Sequence, residues 1–153
     1  MAPILLYALL ALAGPSGDAH RWASYANPRF GTRLAYPADL FGRGVESDNG
    51  DGVTMRSPDG ATLAVFGANN VDDDTPSQYV RSLIGGSGRY AHLTYRLVRP
   101  GLAVLSGVSG GRVYYERYRF ARDGTIHAFV LEYPLARRAR YDGLVARMSA
   151  SLR

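Results

Sequence analysis

Between residues 92 and 133 the chain repeats one pattern: a run that alternates apolar with polar or small residues, then a turn built on glycine or proline. Runs 92–98 and 102–108 flank Pro100-Gly101, Ser109-Gly110-Gly111 makes the next turn, and runs 112–121 and 125–133 flank Asp123-Gly124. Connections this short can only join antiparallel neighbours, because a parallel pair needs a crossover of a dozen residues or more. The spacing therefore predicts a four-stranded meander, stopped at Pro134. An earlier hairpin is expected from runs 53–57 and 61–67 around Pro58-Asp59-Gly60. With Asp59-Gly60 as the central pair of a type I′ turn, Met55 would face Ala64 and Val53 would face Phe66. Leu63-Ala64-Val65-Phe66 is apolar on both faces, so the sheet needs cover on both sides.

Two segments can supply that cover. Thr75 suits an N-cap with Pro76 at the first helical position, and Asp72-Asp73-Asp74 before it complements the positive end of the dipole. Tyr79, Val80, Leu83 and Ile84 follow at helical spacing until Gly85-Gly86. In the tail 135–152, Tyr141, Leu144, Val145, Met148 and Leu152 form one apolar stripe, the mark of an amphipathic helix. Runs 22–27 and 32–36 around Asn27-Pro28-Arg29-Phe30-Gly31 read as an opening hairpin, with a polar loop at 42–52. The expected architecture is α+β: one domain, 20–153, with a mostly antiparallel sheet covered by helices in an α/β/α sandwich.

The start of the chain carries an address. Residues 4–13 are apolar and lead to Gly14-Pro15-Ser16-Gly17-Asp18-Ala19, which reads as a secretory signal peptide cut after Ala19, although no Lys or Arg precedes the apolar run. That run is about half the length a membrane span requires. The expectation is export to the periplasm or beyond, with no transmembrane helix in the mature chain. Cysteine is absent, which excludes disulfides, thiolate nucleophiles and Cys-ligated metals. The formal net charge is +5, and all 18 basic residues are arginine. Such a chain favours anionic neighbours: an acidic protein or an anionic envelope component. The arginines are scattered without a recognition motif, so nucleic acid is not expected as a partner.

Several phrases resemble a group of small exported bacterial proteins of unassigned function: Tyr25-Ala26-Asn27-Pro28-Arg29-Phe30-Gly31, Tyr36-Pro37-Ala38-Asp39-Leu40-Phe41, Asp48-Asn49-Gly50-Asp51-Gly52, Tyr114-Tyr115-Glu116, and Tyr133-Pro134 with Tyr141-Asp142 and Met148-Ser149. The element order also resembles the PsbP-like fold, an antiparallel sheet between helices, found in an extrinsic photosystem II subunit and a Ran-binding import factor. That resemblance implies a partner-binding scaffold without catalysis, and carries no functional residue to this chain.

Few residues advertise chemistry. Gly107-Val108-Ser109-Gly110-Gly111 matches the G-x-S-x-G elbow, and Asp123 and His127 follow in hydrolase order, but Ser109 precedes a strand rather than a helix. A hairpin turn competes with a small serine hydrolase for these residues. Segment 46–52 offers carboxylates to a cation but misses the calcium-loop register, and His20, His92 and His127 lack metal spacing. No cofactor is expected. Glu116 breaks the strand pattern: alternation places it on a face with Tyr114, Tyr118 and Phe120, opposite Tyr133, Leu131, Phe129 and His127 if Asp123-Gly124 is a two-residue turn. A carboxylate there must find a cation or take up a proton. It serves either a structural arginine pair or a ligand in an aromatic pocket. Arg117 and Arg119 lie on the opposite face. With Glu116, Tyr114 and Tyr118 they are the candidate binding residues, since Tyr and Arg are favoured at interfaces. Arg140 and Arg147 share a helix flank that reads as solvated.

Overall fold

The computed structural model describes residues 19–153, so the expected signal peptide lies outside it except for Ala19. Strands β1 (Trp22–Ala26) and β2 (Arg33–Pro37) pair as a small separate sheet. Seven more strands follow: β3 (Val45–Glu46), β4 (Gly52–Arg56), β5 (Thr62–Asn69), β6 (Leu93–Arg99), β7 (Leu102–Ser109), β8 (Arg112–Phe120) and β9 (Thr125–Pro134). They form one antiparallel sheet in the order β3-β4-β5-β9-β8-β7-β6. The predicted meander is its β6–β9 half. β3 arises inside the segment read as a polar loop.

Two hairpin registers differ from expectation by one residue. At Pro58-Asp59-Gly60, Ser57 N–H bonds the Ala61 carbonyl (2.9 Å) and Gly60 N–H bonds the Ser57 carbonyl (3.1 Å), which leaves a three-residue loop. Met55 therefore faces Leu63, and Val53 faces Val65. Around Asp123-Gly124 the same pattern recurs, with Ala121 N–H on the Thr125 carbonyl (2.8 Å) and Phe120 facing Ile126. A type I′ turn needs positive φ at both central residues, and Asp pays for that where Gly does not. Asp59 and Asp123 avoid it. Only Gly60 (φ 90°) and Gly124 (φ 82°) turn left-handed, and the extra loop residue is a bulge. Glu116 thus keeps its face but pairs with Val130; the cross-strand partners expected for that face, His127, Phe129, Leu131 and Tyr133, belong to the other side of the sheet.

One side is covered by α1 (Pro76–Gly86), started by a capping box in which Thr75 and Gln78 bond each other's backbone N–H. Its buried Val80 packs with Ala103, Leu105, Tyr118, Ile126 and Ala128. A 3-10 turn, Gly88–His92, leads from it into β6. The other side is covered by the β1–β2 hairpin and the C-terminal segment. That segment is not the continuous helix expected: α2 (Arg138–Tyr141) and α3 (Val145–Ser151) are separated by a 3-10 turn, Asp142–Leu144. Gly143 is a poor helix former. Side-chain bonds also hold this point: Tyr133 OH to Asp142 (2.5 Å), Arg138 to Asp142 (2.9 Å), and the Tyr141 hydroxyl between Ser57 (3.0 Å) and Asp59 (2.5 Å). The stripe survives the break, with Tyr141, Leu144, Met148 and Leu152 all buried among Leu34, Phe41 and Phe129. Arg140 is paired with Asp59 (2.9 Å), and Arg147 lies 4.1 Å above the Trp22 ring, so that flank is docked rather than merely solvated.

Candidate functional site

Glu116 is 3% exposed and its charge is met in full. Arg89, from the 3-10 turn after α1, brings Nη2 to 2.9 Å from Glu116 Oε1, at ion-pair distance but out of hydrogen-bond line. Tyr118 and Tyr90 donate their hydroxyls to Oε2 at 2.8 and 3.0 Å. Arg89 Nη1 also bonds Glu132 Oε1 at 2.5 Å, and Arg112 approaches the other Glu132 oxygen at 3.5 Å. The Arg89 guanidinium lies 4.6 Å over the Tyr114 ring, a cation–π contact. Burial works against the Arg89 charge, but Glu132 and Glu116 outweigh it and hold the pKa above the ordinary arginine value. Burial, then the charge and hydrogen bond of Glu116, push the Tyr118 and Tyr90 phenols up, so both stay protonated donors.

This cluster ties the end of α1 to the middle of the sheet. Tyr114 belongs to it through its ring; its hydroxyl has no hydrogen-bond partner among the described residues and fits against Gly107, where a Cβ would come within 2.5 Å of it. Of the five candidate binding residues, Glu116, Tyr114 and Tyr118 come together here, buried. Arg117 and Arg119 do not join them. They stand on the other side of β8, in cross-strand rows with Val104 and Phe129, and with Leu102 and His127. Across Leu102 from Arg119 stands Arg99 on β6. The β1–β2 hairpin reaches His127, the cross-strand neighbour of Arg119, through Thr32, and on β6 Tyr95 is half-exposed. Arg99 and Arg119 are exposed, Arg117 half-buried, and none of the three is paired with a carboxylate among the described residues.

The hydrolase set is not assembled. Ser109 pairs with Arg112 and His127 with Arg119, seven residues apart along β8, which separates them by about 23 Å. Ser109 ends β7 at a two-residue Gly110-Gly111 hairpin turn. His127 is 7% exposed, with Nδ1 2.8 Å from Thr32 Oγ1. Burial, helped by Arg119 and opposed by Asp123, lowers its pKa below 6.5. The unfolded chain then takes up a proton that the folded chain resists, so stability should hold above about pH 6.5 and fall as the pH drops below it. Urea titrations across that range should show the slope, and His127→Gln should flatten it.

The 46–52 segment is a turn closed on itself: Ser47 Oγ bonds Asp51 Oδ1 (2.5 Å) and Asn49 bonds Asp51 Oδ2 (3.0 Å). Among the described residues no group of three or more His, Asp or Glu side chains is placed to hold a metal ion. None of their helices is long and apolar enough to cross a membrane.

Solved structures settle the architecture. The solution structure of cyanobacterial PsbP (CyanoP) from Synechocystis sp. PCC 6803 matches with a TM-score of 0.64 and 18% identity, over 94% of this chain and 98% of that one. The fold is PsbP-like. Neither a family model nor a curated protein matches the sequence. Within the PsbP-like frame, Arg89, Tyr90, Glu132 and Arg99 are the residues that sequence reasoning missed. Arg89 and Tyr90 sit between the Gly85-Gly86 helix end and the run from His92, in a stretch with no periodicity to read. Glu132 lies on a strand whose register was one residue out.

Proposed function

We propose that this chain is a non-enzymatic, exported binding domain, and that it holds an acidic protein surface in the cell envelope against the β6–β8 corner. The observation that carries the reading is the set Arg99, Arg117 and Arg119 around Leu102, three guanidiniums with no carboxylate opposite them. Guanidinium forks suit carboxylates and bind them with two parallel hydrogen bonds. Tyr95 and Leu97 beside them supply apolar contact, and Tyr and Arg are the residue types that anchor interfaces. The signal-like residues 4–19 support the envelope as the place.

The test is capture from envelope extract by the parent and by Arg99→Ser/Arg117→Ser/Arg119→Ser. The parent should retain a partner at low salt and release it at about 1 M salt, where screening shortens to about 3 Å. The triple variant should melt like the parent and retain nothing. A control of equal charge, Arg33→Ser/Arg81→Ser/Arg137→Ser, should still bind. Equal retention by the first triple variant would overturn the reading. A serine-reactive fluorophosphonate should leave the folded protein unlabelled; labelling at Ser109 would reinstate the hydrolase.

A further inference from the structure

Helix α1 spans about 16 Å and is about 10 Å wide, whereas seven strands span about 29 Å. It packs on β6 and β7, with Phe66 of β5 at the margin of its cluster, and beyond that margin Val45 of β3 and Thr54 and Arg56 of β4 are exposed on the same side. There the strands floor a cleft of about 670 Å³, within the range of small-ligand sites. The register turns Val45, Thr54, Ala64 and Phe66 toward it, and Val45 is 76% exposed. Arg43 and Arg56 stand at its rim, both exposed and neither paired with a carboxylate among the described residues. Two carboxylates, Glu46 and Asp51, also border the cleft and keep their charge; they sit toward the turn of the β3–β4 hairpin, where Glu46 accepts from the Tyr25 hydroxyl (3.0 Å) and Asp51 from Ser47 and Asn49, while Arg56 stands at the other end of β4. An apolar floor beside two guanidiniums that have no carboxylate within ion-pair distance calls for a ligand with an apolar body and an anionic head.

We propose that this cleft binds an anionic amphiphile, with its phosphate or carboxylate head held by Arg43 and Arg56 and its chain laid along Val45, Ala64 and Phe66. The site lies at the opposite edge and on the opposite side of the sheet from the β6–β8 corner, so the two readings stand or fall separately. Such a head can come from a bilayer lipid or from a free amphiphile.

The experiment titrates the 15N-labelled protein with dihexanoyl phosphatidylglycerol below its micellar concentration and follows the amide shifts. Saturable shifts should centre on Thr54, Ala64 and Phe66. Affinity should fall about tenfold or more with the phosphatidylcholine analogue, and likewise in Arg43→Ser/Arg56→Ser, from the loss of charge-assisted hydrogen bonds. Thr54→Trp, at an exposed position, should fill the cleft and abolish the shifts while the melt stays put. Arg99→Ser/Arg117→Ser/Arg119→Ser should bind the lipid like the parent. Co-sedimentation with phosphatidylglycerol vesicles then separates the sources: pelleting that depends on Arg43 and Arg56 assigns the head to the bilayer, and monomer binding without pelleting assigns it to a free amphiphile. Shifts that never saturate, equal affinity for phosphatidylcholine, or unchanged affinity in the Arg43/Arg56 variant would each overturn the proposal.

Discussion

Glu116→Gln should lower the free energy of unfolding by about 2–3 kcal/mol, with Arg89→Met costing more, about 3–5 kcal/mol. The amide keeps the shape of the carboxylate and can still accept from Tyr118, but it cannot balance a guanidinium already partly withdrawn from water. Glu132 shares Arg89, which softens the loss of Glu116; when Arg89 goes, Glu116 is left without a cation and Glu132 keeps only Arg112. The single and double variants, compared by urea titration, should be strongly non-additive, as expected for groups in one network. A surface glutamate would change stability by no more than about 0.5 kcal/mol. Coincident curves for Glu116→Gln and parent would therefore remove the cluster from the account of stability.

Leu144→Ala should cost about 2–5 kcal/mol, the range for truncating a buried leucine that leaves a cavity. Leu144 is 5% exposed in the 3-10 turn between the two short helices. Neither helix is long enough to be stable alone, so the segment exists because it docks. Its polar anchors sit at the two ends, Tyr141 and Arg140 on Asp59, and Arg153 exchanging backbone hydrogen bonds with Arg33. Between them Tyr133 on Asp142, Tyr115 on Ser149 and the Ala35 N–H on Ser151 add polar contacts, while Leu144 itself is held by apolar burial. A melt of Leu144→Ala that matched the parent would mean that the polar anchors suffice and the stripe contributes little.

The elements themselves were legible. The turns at Pro100-Gly101 and Gly110-Gly111, the Thr75 cap and the Tyr141–Leu152 stripe stand where local chemistry puts them, because each depends on residues a few positions apart. The two Asp-Gly turns show the limit. Asp-Gly fits both a two-residue turn and a three-residue bulged one, and the choice moves every cross-strand pair by one position. That single shift took Glu116 away from Leu131 and set it beside Val130.

From its own pattern the sequence determined that the chain builds an antiparallel sheet covered on both sides, that Glu116 faces inward, and that arginine alone can neutralise it inside the fold. The partner was decided by tertiary structure. Arg89 lies 27 residues before Glu116 in a glycine-rich turn with no period to read, and only the packing of α1 on β6 and β7 brings it over the carboxylate. The open corners were decided in the same way. A short helix on one side, and a hairpin with a broken helix on the other, each leave part of a seven-stranded sheet bare. Which arginines end up without a carboxylate depends on contacts between residues far apart in the chain, and no local pattern encodes those.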